Sequence, residues 1–328
     1  MGSERMTAQF RVLVTDRAWP DTSIEQQILS QIDGGVIEPA NSSEASLIAV
    51  AESVDAIATN WAKVTDAVIR ASSRCRVIAR FGIGIDNISI ATATELGIPV
   101  TNCPDYCLHE VSDHVLGLLL ACGRRIGLYH QRSKRGEYNP VVTKPIQRIA
   151  GQCLGLVGLG TIARAVIPKA RALGLKVIAH TLRGNDYGTG VPMVSFNELL
   201  ADSDFISIHA PLTPKTFRMF NAAAFARMRP SAYLINTARG GLIDEAALYA
   251  ALQDDQLAGA ALDVFDPEPP DLSQPLFRDE RVIVTPHAAF ISEQAVRQMR
   301  TEAMSNIVAA LLGDRPNNVL NPQIYDSR

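Results

Sequence analysis

Arg239, Glu268 and His287 are the residues of this 328-residue chain best suited to move a proton and hold an anion, and each stands just past a short aliphatic run. Residues 232–236 lead into Thr-Ala-Arg-Gly-Gly, residues 259–264 into Phe-Asp-Pro-Glu-Pro-Pro, and residues 282–285 into Pro-His-Ala-Ala. Short aliphatic runs bounded by Gly and Pro read as β-strands. In a doubly wound sheet, ligands bind beyond the carboxyl ends of the strands, so the three loops are expected at one edge. An imidazole near neutral pH supplies a proton well, and a carboxylate beside it stabilises its charged form and fixes its tautomer. A guanidinium grips a carboxylate and a neighbouring oxygen together. Each residue also has a plainer reading, as a satisfied loop histidine or half of a surface ion pair. It is their convergence on one edge that argues for a site.

The same edge is expected to carry a phosphate cradle. Residues 154–163, Leu-Gly-Leu-Val-Gly-Leu-Gly-Thr-Ile-Ala, run from an apolar strand through closely spaced glycines into a helix. Gly158 and Gly160 fill the first two positions of G-x-G-x-x-G/A, and Ala163 fills the third, where a small residue lets helix and strand pack closely. Glycine lets the backbone approach a pyrophosphate, and the N–H groups of Thr161 and Ile162 at the helix start would face it. A structural turn with no ligand is the alternative. A dinucleotide beside an acid and an anion grip points to hydride transfer onto the carbonyl of a 2-oxo acid. His287 would protonate the developing alkoxide, Glu268 would support the imidazole, and Arg239 would hold the substrate carboxylate and carbonyl oxygen.

These loops need a scaffold, and the pattern along the chain supplies one. Short β-rich runs alternate with helical stretches from Phe10 onward, which implies parallel sheets. The expected fold is α/β: two Rossmann-like doubly wound parallel-sheet domains, with the nucleotide domain inserted into the substrate domain. The substrate-binding domain, discontinuous and flavodoxin-like, takes 1–102 plus 291–328, and the dinucleotide-binding domain takes 103–290. Val111, Val115, Leu118, Leu119 and Cys122 give one long helix an apolar stripe, and a polar stretch from Tyr129 to Pro145 follows. The final helix, 292–312, is expected to return to the first domain.

Bulk composition narrows the function classes. With 47% hydrophobic residues, 20% charged residues and a net charge of −3, nothing suggests a nucleic-acid surface. The Arg132, Lys134, Arg135 cluster reads as a solvated helix face. No secretory signal is expected in Met-Gly-Ser-Glu-Arg-Met, and the apolar run 115–122 is far short of a membrane span, so the expected location is the cytoplasm. Five cysteines without a C-x-x-C pair argue for reduced thiols and no metal site.

The chain resembles the D-isomer-specific 2-hydroxyacid dehydrogenases over nearly its whole length. The similar segments are residues 77–87 (Val-Ile-Ala-Arg-Phe-Gly-Ile-Gly-Ile-Asp-Asn), the glycine fingerprint, and residues 209–213, 235–244, 262–269 and 285–292. The resemblance implies that Arg239, Glu268 and His287 are the catalytic set. It also implies that the Ile83 and Gly84 amides hold the substrate carboxylate; Gly82-Ile-Gly84 could form an anion-binding nest or a plain turn. Asp263 is similar to the residue that meets the nicotinamide carboxamide, with Thr237 and Ala238 lining the same pocket. His209, Ala210, Pro211 and Thr216 are expected beside the coenzyme, and Asn60 near the substrate. Relatives of this kind pair across the segment matching residues 104–145, so a homodimer is expected, although core packing is the simpler account of the apolar helix.

The coenzyme strand departs from the family's usual pattern. Thr181 occupies the place where an acidic residue ordinarily receives the ribose hydroxyls, and Arg183 follows closely. A carboxylate would repel a 2′-phosphate, whereas a hydroxyl and a guanidinium can bind one, so NADP(H) is favoured with NAD(H) as the alternative.

Residues 104–114 resemble the branch grouped with C-terminal-binding-protein relatives, whose animal members act as corepressors. A nucleotide-sensing interaction protein is therefore the second reading, although no long disordered tail accompanies it. Glu268 disfavours the formate dehydrogenases, which carry Gln there, and no regulatory domain of the phosphoglycerate dehydrogenase type is expected. A hydrolase using bound NAD would need enclosing segments that are not found. Asn60, Trp61, Phe81, Tyr106 and Phe290 are expected to set substrate choice among glyoxylate, hydroxypyruvate and longer 2-oxo acids.

Overall fold

Residues 9–141 and 145–326 are described by a computed structural model of the chain. The N-terminal hexapeptide and residues 142–144 of the expected polar stretch lie outside them. The fold divides into two compact units, one of Met1–Tyr106 with Ser292–Arg328, the other of Cys107–Ile291.

The first unit opens with β1 (Phe10–Val14), α1 (Ser23–Leu29), β2 (Gly34–Ile37) and α2 (Glu44–Ala51). It continues with β3 (Ala56–Thr59), α3 (Asp66–Ala71), β4 (Ile78–Arg80), α4 (Ile90–Glu95) and β5 (Val100–Thr101). The strands are parallel in the order β2-β1-β3-β4-β5, which is the flavodoxin-like 2-1-3-4-5 winding. β3 is buried at every position, as a strand covered on both faces must be. Leu13, Ile57, Ile78 and Val100 meet Val54, Val64 and Ile69 in its core. The alternation pattern does not reveal β2 or α2. β2 begins Gly34-Gly35 and is only half-buried, so it carries little strand signal, while α2 owes its start to Ser43, whose side chain accepts from the Ser46 N–H.

The second unit begins with α5 (Leu108–Gly123), whose apolar stripe is buried, and α6 (Ile126–Lys134). The expected irregular stretch thus starts later than residue 129. A left-handed Arg125, φ 52°, breaks α5 from α6, and the polar composition of α6 reflects a largely solvated helix. Then follow β6 (Cys153–Val157), α7 (Thr161–Ala172), β7 (Lys176–His180), α8 (Phe196–Asp202), β8 (Phe205–Ile208) and α9 (Ala222–Phe225). The unit closes with β9 (Tyr233–Asn236), α10 (Glu245–Gln253), β10 (Gly259–Leu262), α11 (Pro275–Arg278) and β11 (Val282–Val284). The parallel sheet runs β11-β10-β9-β8-β6-β7, and a single parallel bridge from Ala179 to Met193 stands beyond β7. Counting that bridge as a vestigial third strand gives the 3-2-1-4-5-6 Rossmann order plus an edge strand, so the winding reverses between β6 and β8.

The last helix, α12 (Glu293–Leu312), belongs to the first unit, where Ala295, Met299, Ala303, Met304, Ile307 and Leu311 are buried. An ion pair fixes it there. Arg300 reaches Glu25 of α1 through two bonds of 2.6 and 2.8 Å, donates to the Asp21 carbonyl, and stacks over Trp19 at 5.2 Å. Glu25 is wholly buried and Arg300 nearly so. Removing one member of such a pair strands a buried charge at a cost of about 3–5 kcal/mol, whereas apolar replacement of both is far milder. Arg300→Met should therefore lower the guanidinium unfolding free energy of this unit by about that amount, and adding Glu25→Leu should recover most of the loss. A single-variant loss below about 1 kcal/mol would contradict the assignment.

Candidate active site

The glycine loop sits at the point where the winding reverses. Gly158 takes φ 95°, and a Cβ there would stand 2.7 Å from the His209 carbonyl carbon, so glycine is required because the loop after β8 crosses it. Gly160 differs. It is the N-cap of α7, and a Cβ built on it would meet nothing within 4 Å, which leaves open space over the helix start. The first backbone bond of α7 runs from the Arg164 N–H to the Gly160 carbonyl, so the amides of Thr161 and Ile162 have no acceptor within the helix. Chain crossing accounts for Gly158, whereas a Cβ at Gly160 meets no described atom. Ala163 is fully buried.

The neighbouring strand ends offer donors. The Thr181 hydroxyl after β7 and the Thr237 hydroxyl after β9 are buried with no hydrogen-bond partner among the described residues. Arg183 is exposed two residues beyond Thr181. Thr216 is committed elsewhere: its hydroxyl donates to the Pro211 carbonyl at 2.7 Å and accepts from the Thr213 N–H at 2.8 Å, tying up the loop that follows Ala210. His209 is partly buried, and loss of solvent pulls its imidazole down to about 4, so it is neutral near pH 7 with Ser207 as its 2.9 Å partner. Open space at a helix N-terminus, flanked by orphan hydroxyls, fits a phosphorylated dinucleotide.

The acid–base pair lies two strands further along. The His287 Nδ1 is 2.7 Å from one oxygen of Glu268, and the other oxygen accepts the Phe265 N–H at 3.0 Å. With a carboxylate at Nδ1, that nitrogen carries the hydrogen shared with Glu268. Burial opposes ionisation of Glu268, but the His287 hydrogen bond and charge, the Phe265 N–H and the nearby Arg239 outweigh it and hold the carboxyl below its ordinary value of 4.5. Residue 287 itself is left-handed, φ 51°, and its N–H donates to the Asp263 carbonyl at 2.8 Å.

Asp263 stands just past β10. Its fully buried carboxylate accepts from the Thr285 hydroxyl (2.5 Å) and from the N–H groups of Ala288 (2.9 Å) and Ala289 (3.0 Å). His114 of α5 adds a contact of 3.1 Å to the Thr285 hydroxyl. The carboxylate therefore binds the histidine loop to the end of β10. Arg239 is positioned by a comparable device. Buried Asn236 accepts from the Ala238 N–H (3.0 Å) and donates to the Arg239 carbonyl (2.9 Å), while a Cβ on Gly240 would overlap the Phe265 carbonyl. The arginine loop and the Glu268 loop consequently touch through backbone. Sequence reasoning names neither Asn236 nor His114; the signal that marks Asn236 is a polar residue at the last position of an otherwise apolar strand.

In the first unit, Asn60 follows β3, and Ile83 and Gly84 follow β4. The Asp16 carboxylate after β1 accepts from the N–H groups of Asn60 (3.1 Å), Trp61 (2.8 Å) and Ala62 (3.1 Å), and the Asn87 amide donates to the carbonyls of Asn60 and Ala62. Asn102 donates to the Ile83 carbonyl at 2.9 Å, steadying the turn, and Gly82 there takes φ 141°. Phe81, expected to contact substrate, is instead a core residue, 1% exposed and stacked edge-on with Trp19. Among the described residues no group of three His, Cys, Asp or Glu could hold a metal, and no helix is long and apolar enough to cross a membrane.

Because the folded-state value of Glu268 is lowered, its contribution to stability is present above the ordinary carboxylate value of 4.5 and lost as pH falls through the folded value. Thermal melts of wild type and Glu268→Gln should therefore diverge most at neutral pH and approach each other on acidification below about 4.5. A difference that grows on acidification would contradict the pairing.

The profile of the D-isomer specific 2-hydroxyacid dehydrogenase NAD binding domain matches residues 116–289. The D-3-phosphoglycerate dehydrogenase of Methanocaldococcus jannaschii is 36% identical over 315 residues, 95% of this chain but 59% of that protein, so the chain spans about three-fifths of that relative's length. The hydroxypyruvate reductase of Thermotoga maritima is 34% identical, covering 93% of this chain and 99% of its own. The NADPH-dependent glyoxylate/hydroxypyruvate reductase of Sinorhizobium meliloti, solved with NADP and malonate, superposes with a TM-score of 0.85 at 28% identity, covering 95% of this chain and 96% of that one. Full-length similarity at this level, joined to the profile match over the coenzyme unit, makes the chain a member of the D-isomer-specific 2-hydroxyacid dehydrogenase family.

Proposed function

We propose that the protein reduces a small 2-oxo acid to the D-2-hydroxy acid, with NADPH as the favoured coenzyme and NADH as the alternative. The observation that carries this reading is the 2.7 Å His287–Glu268 pair, with Arg239 close enough to lower the Glu268 carboxyl, on the strand edge that also bears the glycine loop. Gly158, Gly160, Thr161 and Ile162 would hold the pyrophosphate, with Thr181 and Arg183 at the adenosine ribose. Thr237, Ala238, His209, Ala210 and Pro211 would line the remainder of the coenzyme site. The bound nicotinamide supplies the hydride.

His287 donates a proton from Nε2 to the carbonyl oxygen as it gains charge, while Glu268 at Nδ1 fixes the tautomer and orientation of the imidazole. Arg239 binds the substrate carboxylate and stabilises the forming alkoxide. In the first unit, the Ile83 and Gly84 amides are the groups suited to bind a carboxylate. Asp263 positions the His287 loop through its own hydrogen bonds and is the residue proposed to meet the nicotinamide carboxamide. The active form is a homodimer, a reading supported by the exposed apolar side chains of Ile126, Tyr138 and Val141, and its expected location is the cytoplasm.

His287→Ala should lower kcat by about 10²–10⁴-fold while leaving NADPH binding, followed by fluorescence titration, nearly unchanged. Wild-type activity in that variant would remove His287 from the mechanism. For the coenzyme, kcat/KM with NADPH should exceed that with NADH, and Thr181→Asp should reverse the order by placing a carboxylate where a 2′-phosphate would sit. Preference for NADH in the unmodified protein would refute the NADPH assignment.

A further inference from the structure

A helix reaches the histidine loop through His114 of α5. Its Nε2 stands 3.1 Å from the Thr285 hydroxyl and 3.6 Å from one oxygen of the Asp263 carboxylate. The hydroxyl has a single hydrogen, and it goes to that same oxygen at 2.5 Å. Toward His114 the hydroxyl can therefore only accept, so Nε2 must carry the hydrogen of that contact. A hydroxyl left to rotate could give its hydrogen elsewhere. With an Nε2–H filling one of its lone pairs, the orientation that serves Asp263 is the one it keeps.

What this chain of bonds holds is the backbone around residue 287. Thr285 precedes His287, and the N–H groups of Ala288 and Ala289, which follow it, meet the two oxygens of Asp263 at 2.9 and 3.0 Å. The left-handed residue, φ 51°, is thus bracketed on both sides. A histidine keeps such a backbone only where its surroundings over-determine it. α5 is a firm base for the bracket. Its apolar stripe is buried, and Lys169 of α7 donates to the Ser112 hydroxyl at 2.6 Å and to the Asp113 carboxylate at 2.5 Å, the two residues just before His114. α7 is also the helix that starts at the glycine loop, so one turn of α5 joins that helix to the histidine loop. We infer that His114 is a positioning residue for His287: by holding Thr285 against Asp263 it sets the place of the imidazole relative to α5 and α7. The inference rests on the reading of His287 as the proton donor. Displacing a reacting group by about 1 Å can cost on the order of a hundredfold in rate, so a loosened bracket shows in kcat.

The test exploits reach. Glutamine can place an amide N–H where Nε2–H stands, whereas asparagine falls one carbon short. With a 2-oxo acid that the wild type reduces, kcat should fall about tenfold or more in His114→Asn and stay close to wild type in His114→Gln. In the His287→Ala background, His114→Asn should cost nothing further, because its effect passes through the imidazole. A wild-type kcat in His114→Asn, an equal loss in His114→Gln, or an undiminished loss in the His287→Ala background overturns the inference. Wild-type activity in His287→Ala alone would instead remove the proton-donor reading beneath it. Nitrogen NMR of the imidazoles gives a readout free of turnover. The signal that disappears in His114→Gln should come from a ring with hydrogen on Nε2, with the His287 signals left in place, and in His114→Asn the His287 signals should move. A His114 ring with hydrogen on Nδ1 alone, or unmoved His287 signals in His114→Asn, overturns the inference even if no 2-oxo acid is turned over.

Discussion

The geometry of the site depends on a single buried carboxylate. Asp263 closes β10 and takes hydrogen bonds from Thr285, Ala288 and Ala289, three points on the loop that leaves β11. A buried carboxylate is tolerable only when its lone pairs are filled, and here the donors that fill them belong to the segment that presents His287. The left-handed backbone at His287 is then held from both sides, by the Asp263 carbonyl and by Asp263's own side chain. The imidazole does not choose its place; the strand next door chooses it. Arg239 reaches the same neighbourhood through Asn236 and the backbone contact of Gly240 with Phe265, so each reactive side chain is oriented by a non-reactive polar or glycine residue one loop away.

Much of this was readable from the residues. Parallel α/β winding follows from alternating aliphatic runs and helical stripes, and the α5 stripe from Val111 to Cys122 is buried as its spacing requires. The reactive residues stand out because each follows a strand, a position that topology turns into proximity: Glu268 and His287, nineteen residues apart, meet at 2.7 Å. β2 and α2 escaped because an edge strand starting Gly-Gly has little side chain to pattern, and a seven- or eight-residue helix offers barely two turns of periodicity. Burial was harder still. Phe81 reads as a pocket residue from its place beside the glycine turn, but an aromatic at a strand end can fold back into the core, and only the position of Trp19 decides that it does.

The two glycines of the fingerprint show where motif reasoning stops. They differ: Gly158 leaves room for another part of the protein, whereas a Cβ at Gly160 would point into open space. A pattern of residue types records that a side chain is forbidden and says nothing of what forbids it. The Asn60 loop teaches the same from the opposite direction, since Asp16 and Asn87, distant in sequence, hold its backbone in place.

The return of α12 to the first unit carries a consequence for the order in which the molecule is made. Arg300 finds Glu25 across 275 residues, so on the ribosome the early sheet waits, its α1 face uncovered, while the whole of the second unit emerges. The inserted unit, complete by Ile291, can condense during synthesis, whereas the outer one closes only after the last helix leaves the exit tunnel. The inserted unit can thus be complete before the unit that encloses it in sequence.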